Sequence, residues 1–401
     1  MYLDEMNQLA ETAATLGLKA PAQIVFGHGS LKQAGELARN RCRPEGGGGL
    51  ALVCCSGSVH QATALETLES ALRTAGFKPV RLSGLHGEPE PETVNNAVQT
   101  ARRIQPVLLA ALGGGSVIDT AKAVAALTVN DGAVEEYLEA IGTGRTLTKP
   151  PLPLLAIPTT AGTGAEMTKN AVLVSYTGGW KKSFRDDRMI PRAVILDPDL
   201  TLTVPPDVTA WTGMDALTQL LESTISARRT PAVSALAAEA LRGTPEALET
   251  LLDRPDDRPA RAQMLKASTI SGLCLANAGL GMAHGIAAAL GALHHLPHGL
   301  ACGRLLPPVM RYNATAACAE MQEAFTALLN EASPNHTTLE RGFLRLEDLN
   351  RKAGIPNGLT GLKLTEEELT TLAEASMGGS MSGNPQPMTP ATVLAFLKIY
   401  P

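Results

Sequence analysis

The order of apolar segments predicts an α/β domain built on a parallel sheet, followed by a domain made only of helices. From about residue 20 to 198, short β-type runs alternate with helix-type stretches, the pattern of a parallel sheet with helices on its faces. After Pro205 the β-type runs stop and helical periodicity takes over. At 401 residues the chain is too long for one ordinary core, given a prior of about 150 residues per domain. The expected division is therefore 1–200 for the α/β domain and 201–401 for the helical one.

The β-type runs are LALVCC (50–55), PVRLSG (79–84), PVLLAALGGGS (106–116), LPLLAIPTT (152–160) and RAVILDPD (192–199). The RPEGGGG tract before the first of them reads as an elongated, flexible turn without chemistry. Helices are expected around Met214 to Ser226, Pro231 to Asp253, Ala260 to Leu293 and Leu300 to Tyr312. In the tail, LTEEEL and MTPATVLAFL carry the Thr caps, acidic first turn and early Pro that mark helix starts. No internal repeat is present.

Composition narrows the functional class. Residues of the AVILMFWYC set make up 44% and charged residues 18%, a globular balance, and the 3% aromatic content means a core of mainly Ala, Leu and Val. A net charge of −5 leaves no basic stripe for nucleic acid or an anionic membrane. The N-terminal MYLDEMNQLAETAATLGLKAP lacks the basic start and apolar core of a signal peptide, so a cytoplasmic chain is expected. The Ala-rich stretch from Ser268 to Leu293 is broken by Asn277, His284 and glycines, so a core helix is expected rather than a membrane span. Cys42, Cys54, Cys55, Cys274, Cys302 and Cys318 have no CxxC spacing and read as reduced, buried thiols rather than disulfides or zinc ligands.

Three stretches offer chemistry. In AALGGGSVIDTAKAVAAL an apolar strand meets an Ala-rich helix through Gly113, Gly114, Gly115 and Ser116, where backbone N–H groups and the helix N-terminus suit a phosphate. A tight structural turn is the alternative, and the motif is not GxGxxG. After the strand LPLLAIP, the loop Thr159, Thr160, Ala161, Gly162, Thr163, Gly164, Ala165, Glu166 reads equally as a nucleotide-binding polar loop at a strand's carboxyl end or as a capped helix start. Finally, four of the eight histidines, His284, His294, His295 and His298, fall inside GMAHGIAAALGALHHLPHG, where two converging imidazoles make a metal pair. Upstream, TGMDALTQLLES puts Asp215 and Gln219 on one face of a buried helix, and a buried Asp needs a partner such as a cation, unless it caps the helix.

Taken in order, GGGSVIDTAK, PTTAGTGAE, ILDPDLT, GMDALTQLLE, AHG, PHG and LLPPVMRYN resemble the iron-containing (group III) alcohol dehydrogenases, from IVFGHGSL at residue 24 to the NPQPMT tail. The resemblance implies the fold shared with dehydroquinate synthase: an N-terminal α/β nucleotide-binding domain facing an all-α domain, with the active site in the cleft between them. It implies a homodimer or larger assembly and a metal held by an Asp and three His. Asp215, His284 and His298 match those positions, whereas the one usually occupied by His, four residues after the Asp, holds Gln219, a weaker neutral ligand. A further His near the nicotinamide is replaced by Ala288, which leaves His294 or His295 to take its proton role. For the cofactor, the resemblance implies Gly114, Gly115 and Ser116 at the pyrophosphate, beside Gly113 of the same turn, Thr159, Thr160 and Thr163 around the nucleotide, and Lys181 reaching toward it. Ser56 stands where NAD-using relatives carry an Asp, so NAD and NADP both remain open, as do iron and zinc.

The implied activity is hydride transfer between a nicotinamide and a small alcohol or carbonyl compound activated by a divalent metal. The rivals are a metal-independent reductase of the maleylacetate reductase type, a lyase like dehydroquinate synthase, and a non-catalytic nucleotide-binding protein.

Overall fold

The computed structural model describes residues 6–43 and 48–400; Pro44 to Gly47 of the glycine-rich tract and the first five residues lie outside the described residues. The chain forms two compact units. One holds the described chain up to Thr160 with Ala165–Ser175 and Lys182–Val204, and the other holds Ala161–Gly164, Tyr176–Lys181 and the described chain from Pro205 onward. The main break falls between Val204 and Pro205, and two short segments before it, Ala161–Gly164 and Tyr176–Lys181, group with the helices.

In the first unit, β1 (Gln23–Phe26), β2 (Leu50–Cys55), β3 (Lys78–Leu82), β4 (Leu108–Gly113), β5 (Leu154–Pro158) and β8 (Ala193–Leu196) form one sheet in the order β1-β8-β5-β4-β2-β3. Every pairing is parallel. Burial on both faces explains why the central strands read as unbroken apolar runs: all of β4 and β5 is buried. The short helices α1 (Leu9–Thr15) and α2 (Ala34–Leu37) precede α3 (Ala62–Thr74), α4 (Pro91–Ile104) and α5 (Gly115–Leu127). In α4, Pro91 occupies the first turn, and Val94, Ala97, Val98 and Ala101 form the buried stripe. The five predicted runs all enter this sheet; the sixth strand, QIVF, is only four residues long. The hairpin of β6 (Asn170–Ser175) and β7 (Trp180–Arg185) was not among the runs singled out.

Register positions the loops that matter. Cys55 lies beside Leu112 and Gly113 beside Pro158, so the carboxyl ends of β2, β4 and β5 sit side by side, followed by Ser56, Gly114 and Thr159. Polar residues of the same motifs hold the frame. Lys122 is fully buried, and its Nζ donates to Thr168 Oγ1 and to the Asn170 carbonyl (both 2.8 Å) and contacts Asp119 at 3.3 Å. Asp197, just past β8, accepts N–H groups from Gly29, Leu31 and Asp199. IDTAK and ILDPD therefore contribute struts as well as sequence signal.

The second unit comprises α6 (Pro206–Ile225), α7 (Pro231–Leu241), α8 (Thr244–Asp253), α9 (Arg258–Ala278), α10 (Met282–His294), α11 (His298–Asn313), α12 (Cys318–Leu328), α13 (Thr338–Lys352), α14 (Glu366–Ala375) and α15 (Pro390–Ile399). Two predicted helices are each a pair. The first breaks at Gly243, whose φ of 70° is left-handed. The second breaks at Gly279, also at φ 70°, and turns by 103° between α9 and α10. The predicted Thr caps are present: Thr365 and Thr389 accept the N–H groups of Glu368 and Thr392. Among the described residues no single helix is long and apolar enough to cross a membrane.

Candidate metal centre and nucleotide turn

Four side chains of the second unit converge. Asp215 comes from the middle of α6, His284 from the first turn of α10, and His298 and Cys302 from successive turns of α11. Their donor atoms all lie within 4.8 Å of one another. The Asp215 Oδ1 to His284 Nε2 distance is 3.1 Å, Asp215 Oδ1 to His298 Nε2 is 3.8 Å, and His298 Nε2 to Cys302 Sγ is 3.7 Å. The Asp215 and His284 side chains are 1% and 4% exposed, whereas His298 is 24% exposed and forms the open side. The 103° turn between α9 and α10 starts α10 close to α6, and Pro297 then sets the start of α11.

Glu222 fixes the orientation of this group. It lies seven residues after Asp215, two turns along the same face of α6. Its Oε1 accepts the Ala283 N–H at 2.7 Å, and its Oε2 accepts the His284 N–H at 3.4 Å and contacts His284 Nδ1 at 2.7 Å. One carboxylate thereby caps the N-terminus of α10 and holds Nδ1, leaving Nε2 aimed at Asp215. Gly281 makes room, since a Cβ there would stand 2.9 Å from Glu222 Oε1. Asn384, from the NPQPMT tail, accepts the Met282 N–H and pairs reciprocally with Asn313.

The electrostatics are those of a cation site. Burial pushes the Asp215 carboxyl up, but the His298 charge and the hydrogen bond from His284 outweigh it and hold the group below its usual range. Burial also opposes a charged His284, yet Cys302, Asp215 and Glu222 together raise it well above the usual imidazole range. Burial pushes the Cys302 thiol up to about 12. An oxygen, two imidazole nitrogens and a sulfur in one buried cluster are a donor set that fits a divalent metal.

In the first unit, α5 starts at the carboxyl end of β4. Gly114 is extended (φ −74°, ψ −174°), and its carbonyl accepts the Val117 and Ile118 N–H groups. The earlier N–H groups of a first turn have no partner inside a helix and suit an anion. A Cβ on Gly114 would reach within 3.3 Å of Thr160 Oγ1, so a side chain there fills the cradle between the two loops. Thr159 N–H donates to the Gly113 carbonyl at 3.0 Å, and Ser56, Gln61 and Thr159 are linked by hydrogen bonds of 2.9 and 3.3 Å. The turn, Ser56, Thr159 and Thr160 thus stand together, a cradle that fits a nucleotide phosphate.

Other predicted residues lie elsewhere. Thr163 belongs to the second unit, where its carbonyl accepts Gln219 Nε2 at 3.3 Å, and the loop after it makes only the short turn Ala165–Met167 rather than a capped α-helix. Gly162 and Gly164 serve close packing: a Cβ would lie 2.5 Å from Thr212 Cβ and from Gly272 Cα, respectively. Gln219 Oε1 accepts Ser271 Oγ at 2.7 Å. Lys181 is half-buried on β7 in the second unit. His294 ends α10, about 15 Å along the axis from His284 at the usual helical rise, and His295 follows in a left-handed conformation (φ 54°) with its ring 4.6 Å from Tyr176. The structure therefore does not bring His294 and His295 to the donor cluster. Reading the sequence for histidines missed Cys302 and Glu222. The available signals were a Cys four residues after His298 and a Glu seven after Asp215, in both cases on the same helix face.

A parallel sheet with a phosphate-type turn and a helical unit with a metal-donor cluster are the parts of a metal- and nucleotide-binding protein. The family model described as iron-containing alcohol dehydrogenase matches residues 21–198, and that for the C-terminal region of the same family matches residues 209–400. The chain is 35% identical to long-chain-alcohol dehydrogenase 1 of Geobacillus thermodenitrificans over 82% of this chain and 84% of that one. It is 29% identical to the NAD-dependent methanol dehydrogenase of Bacillus methanolicus over 88% and 91%. A solved 1,3-propanediol oxidoreductase superposes with a TM-score of 0.87 at 28% identity, covering 96% of this chain and 99% of that one. The chain belongs to the iron-containing alcohol dehydrogenase family, as an NAD(P)-dependent oxidoreductase that uses a divalent metal.

Proposed function

We propose that Asp215, His284 and His298 hold the catalytic metal, that the turn Gly113–Ser116 with Thr159, Thr160 and Ser56 binds the nucleotide, and that the substrate is a small alcohol or its aldehyde. The observation carrying this reading is the convergence of three donors from three separate helices, with Glu222 bonded behind His284. Held by Asp215, His284 and His298, a divalent metal would supply Lewis-acid polarisation of the substrate oxygen, and a nicotinamide at the turn would supply the hydride chemistry.

The chain's own residues supply placement. Asp215 contributes the negative charge of the donor set, and Glu222 keeps a proton on His284 Nδ1 so that Nε2 is free to ligate. Backbone N–H groups at the start of α5 take the pyrophosphate without any charged side chain. Thr163 and Lys181 join the nucleotide site in this reading on family resemblance alone. The same resemblance supports a cytoplasmic homo-oligomer.

The test is reduction of a panel of short-chain aldehydes by purified full-length protein with NADH or NADPH, before and after chelation and after adding back Fe(II) or Zn(II). Turnover lost on chelation and restored by a metal is expected. Full turnover in metal-free protein contradicts the reading and assigns a metal-independent reductase instead.

A further inference from the structure

The match of Asp215, His284 and His298 leaves a fourth ligand to identify, and resting on the reading that this cluster holds a divalent metal, we propose that it is the Cys302 thiolate rather than the amide of Gln219. Both side chains project from helices that carry another ligand, each four residues on: Gln219 after Asp215, Cys302 after His298. Their surroundings differ. Gln219 spends its oxygen on Ser271 Oγ and its nitrogen on the Thr163 carbonyl. Cys302 directs Sγ into the donor group, within 4.8 Å of the other three ligand atoms.

The distances fit one ion. Tetrahedral coordination with metal–nitrogen or metal–oxygen bonds of about 2.0–2.1 Å and a metal–sulfur bond of about 2.3 Å separates N from O by about 3.3 Å and N from S by about 3.6 Å. The observed separations are 3.1 and 3.8 Å for the two N–O pairs and 3.7 Å for His298 Nε2 to Cys302 Sγ. The remaining separations lie within 4.8 Å, so adjustments of about 1 Å bring the four donors onto one ion. On binding, the thiol loses its proton to solvent and the sulfur lone pair enters the metal–sulfur bond, with no change of oxidation state. A thiolate beside two imidazoles and one carboxylate is softer than an Asp and three His, so this site favours zinc over Fe(II) when both are offered.

Cobalt(II) tests the assignment, because a thiolate ligand gives it a sulfur-to-cobalt charge-transfer band in the near ultraviolet that oxygen and imidazole do not. Full-length metal-free wild type, Cys302→Ser, Cys302→Ala and Gln219→Ala are loaded with cobalt, the bound metal is measured per chain, and circular dichroism verifies folding. The band is expected in wild type and in Gln219→Ala and absent from both Cys302 variants, whose zinc affinity falls by about 100-fold or more, beyond the effect of losing a partner behind a ligand. Stoichiometric cobalt without the band in wild type overturns the Cys302 assignment and leaves the metal centre standing. A band that survives Cys302→Ser also overturns it. A wild-type protein that takes up no cobalt overturns both.

Discussion

Glu222→Gln is the sharpest perturbation of this architecture, because it replaces one carboxylate oxygen by an NH2 group and leaves volume and helix intact. The Glu222 side chain is 1% exposed, and its two oxygens together face three donors: the N–H groups of Ala283 and His284, and His284 Nδ1. A glutamine offers one acceptor oxygen. Whichever way its amide is turned, the NH2 group points at a donor, so at least one buried N–H loses its partner. A lost hydrogen bond to a charged group is worth about 1.5–3 kcal/mol, and the stranded donor adds to it, giving a loss of about 2–4 kcal/mol. At about 2–4 °C per kcal/mol for a unit of this size, the melting temperature falls by about 5–15 °C. Because His284 Nδ1 also loses its anionic acceptor, zinc affinity drops by about 10- to 100-fold. Differential scanning calorimetry of metal-free protein and a competitive zinc titration read the two effects. A variant melting within about 1 °C of wild type, with unchanged zinc affinity, refutes the role given to Glu222.

Gly114→Val places a branched side chain 3.3 Å from Thr160 Oγ1 and should weaken NAD(P)H binding by about 10- to 100-fold, the equivalent of one charge-assisted hydrogen bond; unchanged fluorescence titration with a normal circular dichroism spectrum removes the turn from the site. Ser56→Asp should shift preference toward NAD by repelling a 2′-phosphate, and a constant ratio of NADP to NAD efficiency shows that Ser56 does not face the ribose. The raised His284 sets the sign of a pH effect: its proton competes with the metal for Nε2 throughout the range below its elevated pKa, so apparent zinc affinity rises with pH and binding releases protons. Calorimetry in buffers of differing ionisation enthalpy measures that release, and a buffer-independent enthalpy argues against it.

How much of this is legible in the sequence depends on whether a signal is local. The apolar strands, the GGGS turn and the Thr caps are read within a few residues, and each of them occurs where the pattern places it. Asp215, His284 and His298 were picked out by residue type and motif order. Cys302 reads in sequence as a buried thiol, because apolar neighbours and a lack of CxxC spacing describe a core cysteine and a ligand equally well; only the meeting of α6, α10 and α11 distinguishes them. Glu222 was overlooked for the same reason, since its partners lie about 60 residues away on α10. The proton role expected of His294 or His295 has no local signature either: His294 stands at the far end of α10 from His284 and His295 follows in a left-handed turn, both outside the donor cluster. The pairing of Ala161–Gly164 with the helical unit follows from glycines packed on α6 and α9, a tertiary contact with no local signature.

On the proposed reading, turnover depends on a metal held by the buried cluster of the second unit, while the nucleotide turn of the first unit binds the cofactor by its own contacts. Metal content per chain, measured beside initial rates and NAD(P)H affinity for wild type, His284→Ala and His298→Ala, tests it most directly. Occupancy and turnover are expected to fall together by at least about tenfold in both variants, with cofactor affinity changed by less than about threefold. Full activity in His284→Ala at unmeasurable metal content would contradict it.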